Sequence, residues 1–179
     1  MSREPSYNDF TWYKVGKWSG LEQGDLLIDC PILVPSSDLT QALLKATQGA
    51  VLQTPYDIQF TDLIILSQSC DLINKDIEQV LLCAHFPADD YSRTDRISIR
   101  KEHRPPLHII EQCEIPEYKF GQRVIDFRTV FTLPKEFVKA FTDSLPSRVR
   151  LLPPYREHLA QAFARYFMRV GLPRPIKDI

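Results

Sequence analysis

Proline is more than twice as frequent as glycine in this chain, with 14 Pro and 6 Gly among 179 residues. Ordinary globular proteins show the opposite order, with about 7% Gly and about 5% Pro. Because proline fixes φ and lacks a backbone N–H, we expect short elements that stop at prolines. The chain is 44% hydrophobic and 25% charged, which excludes a disordered or collagen-like protein. A chain of this length predicts a single domain that needs no metal or disulfide to hold its core.

Five segments have the pattern of β-strands. The runs 25–34 (DLLIDCPILV), 62–67 (DLIILS) and 79–86 (QVLLCAHF) are nearly continuous in apolar residues, which is typical of strands covered on both faces. Two further strands are predicted over 107–112 and 123–131, the second with imperfect alternation of apolar residues.

The other segments are predicted to be helices and connections. They are a helix over 38–48 between Ser37 and Gly49, a polar hairpin-like turn over 68–78, mostly loop over 88–106, a short helix from Pro134 to Phe141, and a helix over 155–170. The last has the clearest signals, because Pro153 and Pro154 precede it and Gly171 follows it.

Strands that come first and helices that come later predict an α+β domain with a small, mostly antiparallel, barrel-like sheet. We expect three parts along the chain: an N-terminal arm over 1–22, the barrel over 23–131, and a helical extension over 132–179 packed on the barrel.

The charges are unevenly placed, although the net charge is only −1. Residues 145–179 contain seven of the 22 basic residues and two of the 23 acidic ones. This basic end favours either an interaction with an acidic partner or simple attraction to the acidic remainder of the chain.

The first candidate for chemistry is SQSCDL, which follows the strand 62–67. A buried strand can hold reactive groups in place while the following loop leaves room for a ligand. Cys70 is a candidate nucleophile and Asp71 a candidate general base, with Ser67 and Ser69 as candidate binding residues. The alternative is a strand end capped by small polar residues.

The second candidate is the pair Cys83 and His85, which share a face of the strand 79–86. His85 could serve as a catalytic base or acid. A zinc site would need Cys30, Cys70, Cys83 and His85 to converge, but no paired CxxC spacing is present, so we expect no metal and no cofactor. The alternative is a buried thiol beside a hydrogen-bonded core histidine.

The third candidate is the helix over 155–170. Its apolar side predicts docking on the sheet or against a second copy. The opposite side carries Arg165 and Arg169, two guanidiniums one turn apart that are suited to phosphates or carboxylates. A merely solvated face is the alternative.

The N-terminus lacks the pattern of a signal peptide, and no apolar run is long enough to cross a membrane. Four widely spaced cysteines are then expected to be free thiols, and the protein is expected in the cytoplasm.

The segments QGDLLIDCPIL (23–33), DLIILSQSCDL (62–72) and QVLLCAHFP (79–87) resemble the opening of the MazF/PemK-like family. The resemblance covers about 21–90. It implies an SH3-like barrel, commonly a homodimer, that cuts single-stranded RNA without a metal and is inhibited by an antitoxin protein. Gly24 and Asp25 match the family's Gly-Asp pair, so Asp25 is a candidate binding residue.

Two functions stay open. The resemblance implies a protein that acts on single-stranded RNA in a bacterial toxin-antitoxin or defence setting. However, the family's catalytic Arg has no counterpart before Leu63, and its Thr after the third strand is replaced by the region from His85 to Pro87. The alternative is a module that has lost catalysis and binds an antitoxin-like or regulatory protein.

Overall fold

A computed structural model describes residues 11–35, 38–49 and 56–168. Its strands are β1 (Tyr13–Gly16), β2 (Asp25–Pro35), β3 (Tyr56–Ile65), β4 (Gln79–Pro87), β5 (Leu107–Ile110), β6 (Arg123–Pro134) and β7 (Arg148–Leu151). Its helices are α1 (Leu39–Leu44), α2 (Ser69–Ile73), α3 (Arg93–Arg100), α4 (Lys135–Ser144) and α5 (Tyr155–Phe167). The prediction of an α+β protein with a mostly antiparallel sheet is confirmed.

All seven strands belong to one antiparallel sheet with the order β1-β7-β2-β3-β4-β6-β5. The sheet is open over the described ranges, because no pairing there joins the edge strands β1 and β5. Strand β7 lies between β1 and β2. The sheet therefore takes strands from the predicted arm (1–22) and from the predicted helical extension (132–179) as well as from 23–131.

Helices cover both faces of the central strands. Alternate residues of β3 point to opposite sides, so Leu63 and Ile65 join one buried cluster and Ile64 joins the other. Val138 of α4 is fully buried in the first cluster, and Leu159 of α5 is fully buried in the second. Burial on both faces explains why residues 63–66, at the inner end of β3, and most of β4 are apolar.

The apolar side of α5 docks on the sheet, as predicted. Tyr155 and Leu159 are buried, and the ring of Phe163 meets that of Phe127 edge-on at 5.4 Å. The helix ends at Phe167, earlier than predicted, and Gly171 lies outside the described residues.

The prediction of a loop over 88–106 is wrong, because α3 occupies its centre. Helix α3 begins after Ser92, whose Oγ accepts a hydrogen bond from the backbone N–H of Asp95 at 3.1 Å. This N-cap satisfies a backbone donor that the first turn leaves unpaired, and the charge of the segment concealed it.

Smaller differences concern the first two helices. Helix α1 ends at Leu44 rather than at residue 48, and Gly49, at φ 83°, lies in a later turn. Ser37 lies outside the described residues. The predicted polar turn after β3 does connect antiparallel strands, but it contains the short helix α2.

The outer halves of β2 and β3 form a two-stranded ribbon. Strand β3 pairs with β4 only from Leu63 to Ile65, whereas it pairs with β2 along almost its whole length. Directly opposed residues share a face, so one face of the ribbon is entirely apolar. We call this the ribbon face; its residues are Pro31, Leu33, Pro35, Tyr56, Ile58 and Phe60.

The ribbon face lies open to solvent. Leu33, Tyr56, Ile58 and Phe60 are 65%, 53%, 63% and 67% exposed. The other side of the ribbon is partly covered, because Ile32 and Val34 contact the cluster that holds Val138. Among the helices of the described segments, none is both long and apolar enough to cross a membrane.

Candidate functional site

A cleft opens where β3 and β4 separate. The two strands pair at Leu63 and Ala84, but beyond this point β3 follows β2 into the ribbon while β4 continues along β6. The gap holds a cavity of about 210 Å³. We call it the wedge; it is lined by Asp29, Phe60, Thr61, Asp62, His85, Phe86, Pro87 and Arg123.

Arg123 connects the two sides of the wedge. Its Nε donates a hydrogen bond to Nδ1 of His85 at 3.0 Å, and its terminal nitrogen donates to Oδ2 of Asp62. The same nitrogen also reaches the backbone carbonyl of His85 at 3.3 Å. The planar guanidinium therefore fixes a histidine and a carboxylate from two strands that no longer pair with each other.

A bulge in β2 completes this arrangement. The register of β2 against β3 shifts between Leu27 and Cys30, and Asp29 within the bulge has φ 51°. Aspartate tolerates this left-handed conformation better than most residues. The N–H of Asp29 donates to Oδ1 of Asp62 at 2.9 Å. Both oxygens of Asp62 are thus engaged, one by a backbone donor and one by Arg123.

His85 is held neutral. The side chain is only 2% exposed, and burial lowers its pKa from 6.5 to about 3, with the charge of Arg123 acting in the same direction. Because Nδ1 accepts the hydrogen bond from Arg123, the single ring proton sits on Nε2. His85 therefore positions Arg123, and its buried Nε2 has no hydrogen-bond partner among the described residues.

Asp62 and Arg123 are the accessible members of the set. Their side chains are 21% and 14% exposed and stand beside the aromatic rings of Phe60 and Phe86. A carboxylate, a guanidinium and flanking rings can respectively take a proton, bind a phosphate and stack on a base. The wedge is thus the place where the described residues combine acid-base groups with a cation.

Cys70 and Asp71 do not join this site. Both lie on α2, in the connection between the end of β3 and the start of β4, whereas His85 lies near the other end of β4. Both side chains are exposed, and Sγ of Cys70 lies 3.7 Å from Oδ1 of Asp71. The structure therefore places His85 apart from Cys70 and Asp71, the other two residues that the sequence suggested as catalytic.

Ser67 and Ser69 hold backbone groups. Oγ of Ser67 accepts a hydrogen bond from the N–H of Leu81 at 2.8 Å, and Oγ of Ser69 accepts one from the N–H of Gln23 at 3.2 Å. Both contacts support the alternative in which small polar residues cap the end of β3.

Asp25 lies at the centre of a buried ionic cluster. It is fully buried, and Arg150 donates to its carboxylate from Nε at 2.5 Å and from a terminal nitrogen at 3.1 Å. Nε of Arg148 lies 3.2 Å from the same carboxylate. The ring of Trp18 covers Arg150 at 4.2 Å.

Glu22 extends the Asp25 cluster towards α5. Its carboxylate binds Arg150 at 2.5 Å and Arg156 at 3.1 Å. Gly24, at φ 86°, allows this approach, since a Cβ there would lie 3.1 Å from Leu151 and 3.5 Å from Arg156. Arginines of the basic C-terminal end are thus bound by acids near the start of the chain, as the simple-attraction alternative predicted.

Arg165 has an acidic neighbour as well. It donates to Glu102 at 3.1 Å, between α5 and the end of α3. Arg169, the second guanidinium of the predicted pair, lies outside the described residues.

Cys83 has the environment of a buried structural thiol. Its Sγ donates to the backbone carbonyl of Asp126 at 2.9 Å, and burial raises its pKa to about 12. Over the described ranges, no three His, Cys, Asp or Glu side chains converge as metal ligands would.

No family model matches the chain, and no curated protein shows significant similarity to it.

Sequence reasoning identified His85 but missed Arg123 and Asp62. Arg123 opens a predicted strand and Asp62 opens another, and 61 residues separate them in the chain. The sequence signal for both residues was a charge at the start of an otherwise apolar strand. It could not indicate which strands would diverge beside it.

Proposed function

We propose that this chain is a divergent MazF/PemK-like protein, with an opened form of the SH3-like barrel, that acts on single-stranded RNA at the wedge. The observation that carries the proposal is the contact of Arg123 with both Asp62 and His85 in an accessible cleft. It supplies a guanidinium where the sequence lacks the family's usual arginine. The proposal includes a cytoplasmic location and a role in a bacterial toxin-antitoxin or defence system.

Metal-free cleavage of RNA needs a base for the 2′-hydroxyl and a cation for the phosphate. In the proposed reaction Asp62 takes the 2′-hydroxyl proton, and the 2′-oxygen attacks phosphorus. The bond to the 5′-oxygen breaks, and a water molecule protonates the departing oxygen. The hydroxide left from that water takes the proton from Asp62, which restores the carboxylate. The products are a 2′,3′-cyclic phosphate and a 5′-hydroxyl end.

Arg123 has the central role in this reaction. The scissile phosphate replaces Asp62 as the partner of the terminal guanidinium nitrogen, which frees the carboxylate to act as base. His85 keeps its hydrogen bond to Nε throughout, so the guanidinium stays oriented while its other partner changes. His85 is thus a positioning residue rather than a catalytic one.

Cleavage of labelled single-stranded RNA of mixed sequence in the presence of EDTA tests the proposal. Asp62→Asn keeps the size of the side chain but removes the base, and we expect a loss of at least 100-fold. Asp71→Asn is the matched control, because Asp71 is an exposed carboxylate outside the wedge. Absence of cleavage by the wild-type protein at every pH between 5 and 9 would reject the enzymatic proposal.

The second candidate is a non-catalytic module that binds protein, and the ribbon face favours it. Its four exposed side chains present on the order of 500 Å² of apolar surface, as much as the largest patch on a typical monomer. The face contains no charged residue, so its partner must present an apolar, uncharged surface. An antitoxin-like or regulatory protein with such a surface fits this description.

We propose a second copy of this chain as the preferred partner of the ribbon face. Leu33 and Ile58 form its central pair, so a twofold axis through this pair would set like against like without charge repulsion. Two faces packed together bury on the order of 1,000 Å², the lower limit for a stable interface. Light scattering at increasing concentration should show a dimer that Ile58→Asp dissociates and the control Asp57→Asn does not.

A further inference from the structure

A groove runs between α3, β5 and α5, on the same face of the sheet as the wedge. It consists of two adjoining cavities of about 260 and about 250 Å³, and Ile99, Glu102 and His108 line both. Helix α5 forms one wall, and it lies outside the region of family resemblance. The groove is therefore a feature that this chain has built with its own C-terminal segment.

Aromatic rings form much of the groove. Trp12 stacks on Tyr155 with ring centroids 3.6 Å apart and planes only 8° from parallel. The ring of His108 lies nearly parallel to that of Phe127, at 6.3 Å. Burial lowers the pKa of His108 to about 4, with the charges of His158 and Arg165 acting in the same direction. His108 is thus a neutral imidazole, with one donor and one acceptor nitrogen.

Glu102 occupies a backbone position that usually belongs to glycine. It is the second residue after α3, behind the C-cap Lys101, and has φ 57°. The next residue, His103, donates its N–H to the carbonyl of Ser98 at 2.9 Å. This helix-ending motif strongly favours glycine, because a side chain in the left-handed region is strained. The strained Glu102 carries the carboxylate that reaches across the groove to Arg165.

The ion pair between Glu102 and Arg165 spans the cavity that His108 also lines. Both side chains are largely exposed, so the pair adds little to stability. Its cost in backbone strain is comparable to or larger than this gain. The backbone strain at Glu102 is thus not offset by the ion pair that its side chain makes. We infer that the contact serves a purpose other than stability.

We propose that this groove binds a nucleoside monophosphate unit, with the base over His108 and the phosphate on Arg165 in place of Glu102. The lining matches this ligand in size and in its order of chemistry: rings and a neutral imidazole inside, a guanidinium at the rim. The unit can be a free nucleotide or one residue of an RNA strand. The proposal does not require cleavage at the wedge.

The wedge and the groove lie side by side. His85 and His108 are both paired with Ile125, one from each neighbouring strand, so the three side chains form one row across the sheet. Two strand spacings separate the histidines, roughly 10 Å. A single RNA strand could therefore occupy both sites. The experiment must distinguish a free nucleotide in the groove from one residue of such a strand.

Calorimetric titration with AMP, GMP, CMP and UMP, with ribose 5-phosphate as the reference ligand, tests the proposal. We expect at least one nucleotide to bind and Arg165→Ala to weaken it by at least fivefold. Glu102→Gly should tighten it, because the carboxylate no longer competes with the phosphate. Arg96→Ala, which removes an exposed ion pair on α3 outside the groove, should leave the affinity unchanged.

The outcomes separate the possibilities. If no nucleotide binds but an RNA hexamer does, and Arg165→Ala weakens the hexamer, the groove holds a residue of an RNA strand. Asp62→Asn should retain binding in either case, so failure at the wedge leaves the groove intact. The proposal is overturned if neither mononucleotides nor the hexamer depend on Arg165, or if ribose 5-phosphate binds as tightly as the nucleotides. Circular dichroism of each variant establishes that it is folded.

Discussion

Nε of Arg123 lies 3.0 Å from Nδ1 of His85 and donates a hydrogen bond to it. This contact requires a neutral histidine, because a protonated imidazole has no lone pair to accept the bond. It places a buried base beside a permanent cation, and the same cation binds Asp62. The stability of the fold is therefore linked to pH through His85.

Acid should destabilise the protein below pH 6.5. The unfolded chain binds a proton on His85 near 6.5, whereas the folded pKa is about 3. The unfolded state thus holds more protons between these values, so stability falls by about 1.4 kcal/mol for each pH unit below 6.5. His108, whose pKa is lowered to about 4, adds an effect of the same sign and similar slope until the pH approaches 4. Urea unfolding at pH 7, 6 and 5 measures this loss.

The control for the pH effect is His85→Gln, whose amide oxygen can still accept from Arg123. Its unfolding free energy should depend less steeply on pH than that of the wild type. Equal slopes for the two proteins would show that the pKa of His85 is not lowered in the folded state.

The Asp25 cluster should be essential to folding. Asp25→Asn leaves Arg148 and Arg150 buried without their central carboxylate, and breaking a buried pair from one side costs about 3–5 kcal/mol. Asp71→Asn changes an exposed carboxylate and should stay within about 0.5 kcal/mol of the wild type. Denaturant titration compares the two variants. A mild effect of Asp25→Asn would mean that water or rearrangement compensates the arginines.

One of the four cysteines should react rapidly in the native protein. Cys70 is exposed, whereas Cys30, Cys83 and Cys113 are buried and their thiol pKa values are raised by burial. Titration with a thiol-specific chromogenic reagent should count one fast thiol in the native state and four after unfolding. Cys70→Ser should abolish the fast reaction. A fast thiol that survives this change would show that a buried cysteine is accessible.

The docking of α5 can be tested on two neighbouring aromatic residues. Phe163 is partly buried and packs against the buried Phe127, whereas Phe167 is 61% exposed. Phe163→Asp introduces an unpaired charge into an apolar contact and should lower the melting temperature severely. Phe167→Asp should have a much smaller effect. Similar melting temperatures for both variants would contradict the docked position of the helix.

Local sequence patterns predicted the elements whose signals are local. Strands β2 and β4 and the inner end of β3 follow from their apolar runs, and α5 follows from the prolines before it. The outer part of β3, residues 56–61, was not predicted as a strand. Helix α3 was missed, although Ser92 and Asp95 form an N-cap, because a charged segment with Pro105 and Pro106 resembles a loop.

Strand β7 and the wedge depend on contacts that are distant in sequence. Strand β7 has only four residues, and two of them are arginines that would not be expected inside a protein. Their burial depends on Asp25, more than 120 residues earlier in the chain. Arg123 likewise acquires its role only from Asp62 and His85, which other strands contribute. No local pattern encodes such pairings.

The role of the wedge is tested by the rate at which Arg123→Lys cleaves single-stranded RNA under single-turnover conditions. Lysine keeps the charge but cannot bind His85 and Asp62 through two fixed nitrogens, so the phosphate loses an oriented partner. We predict a fall of at least 100-fold, as for the loss of one stabilising donor in an active site. Arg96→Lys, which changes an arginine of α3 outside the wedge, should cleave at the wild-type rate. Wild-type cleavage by Arg123→Lys, together with its loss in Cys70→Ser or Asp71→Asn, would contradict the account and place the active site on α2.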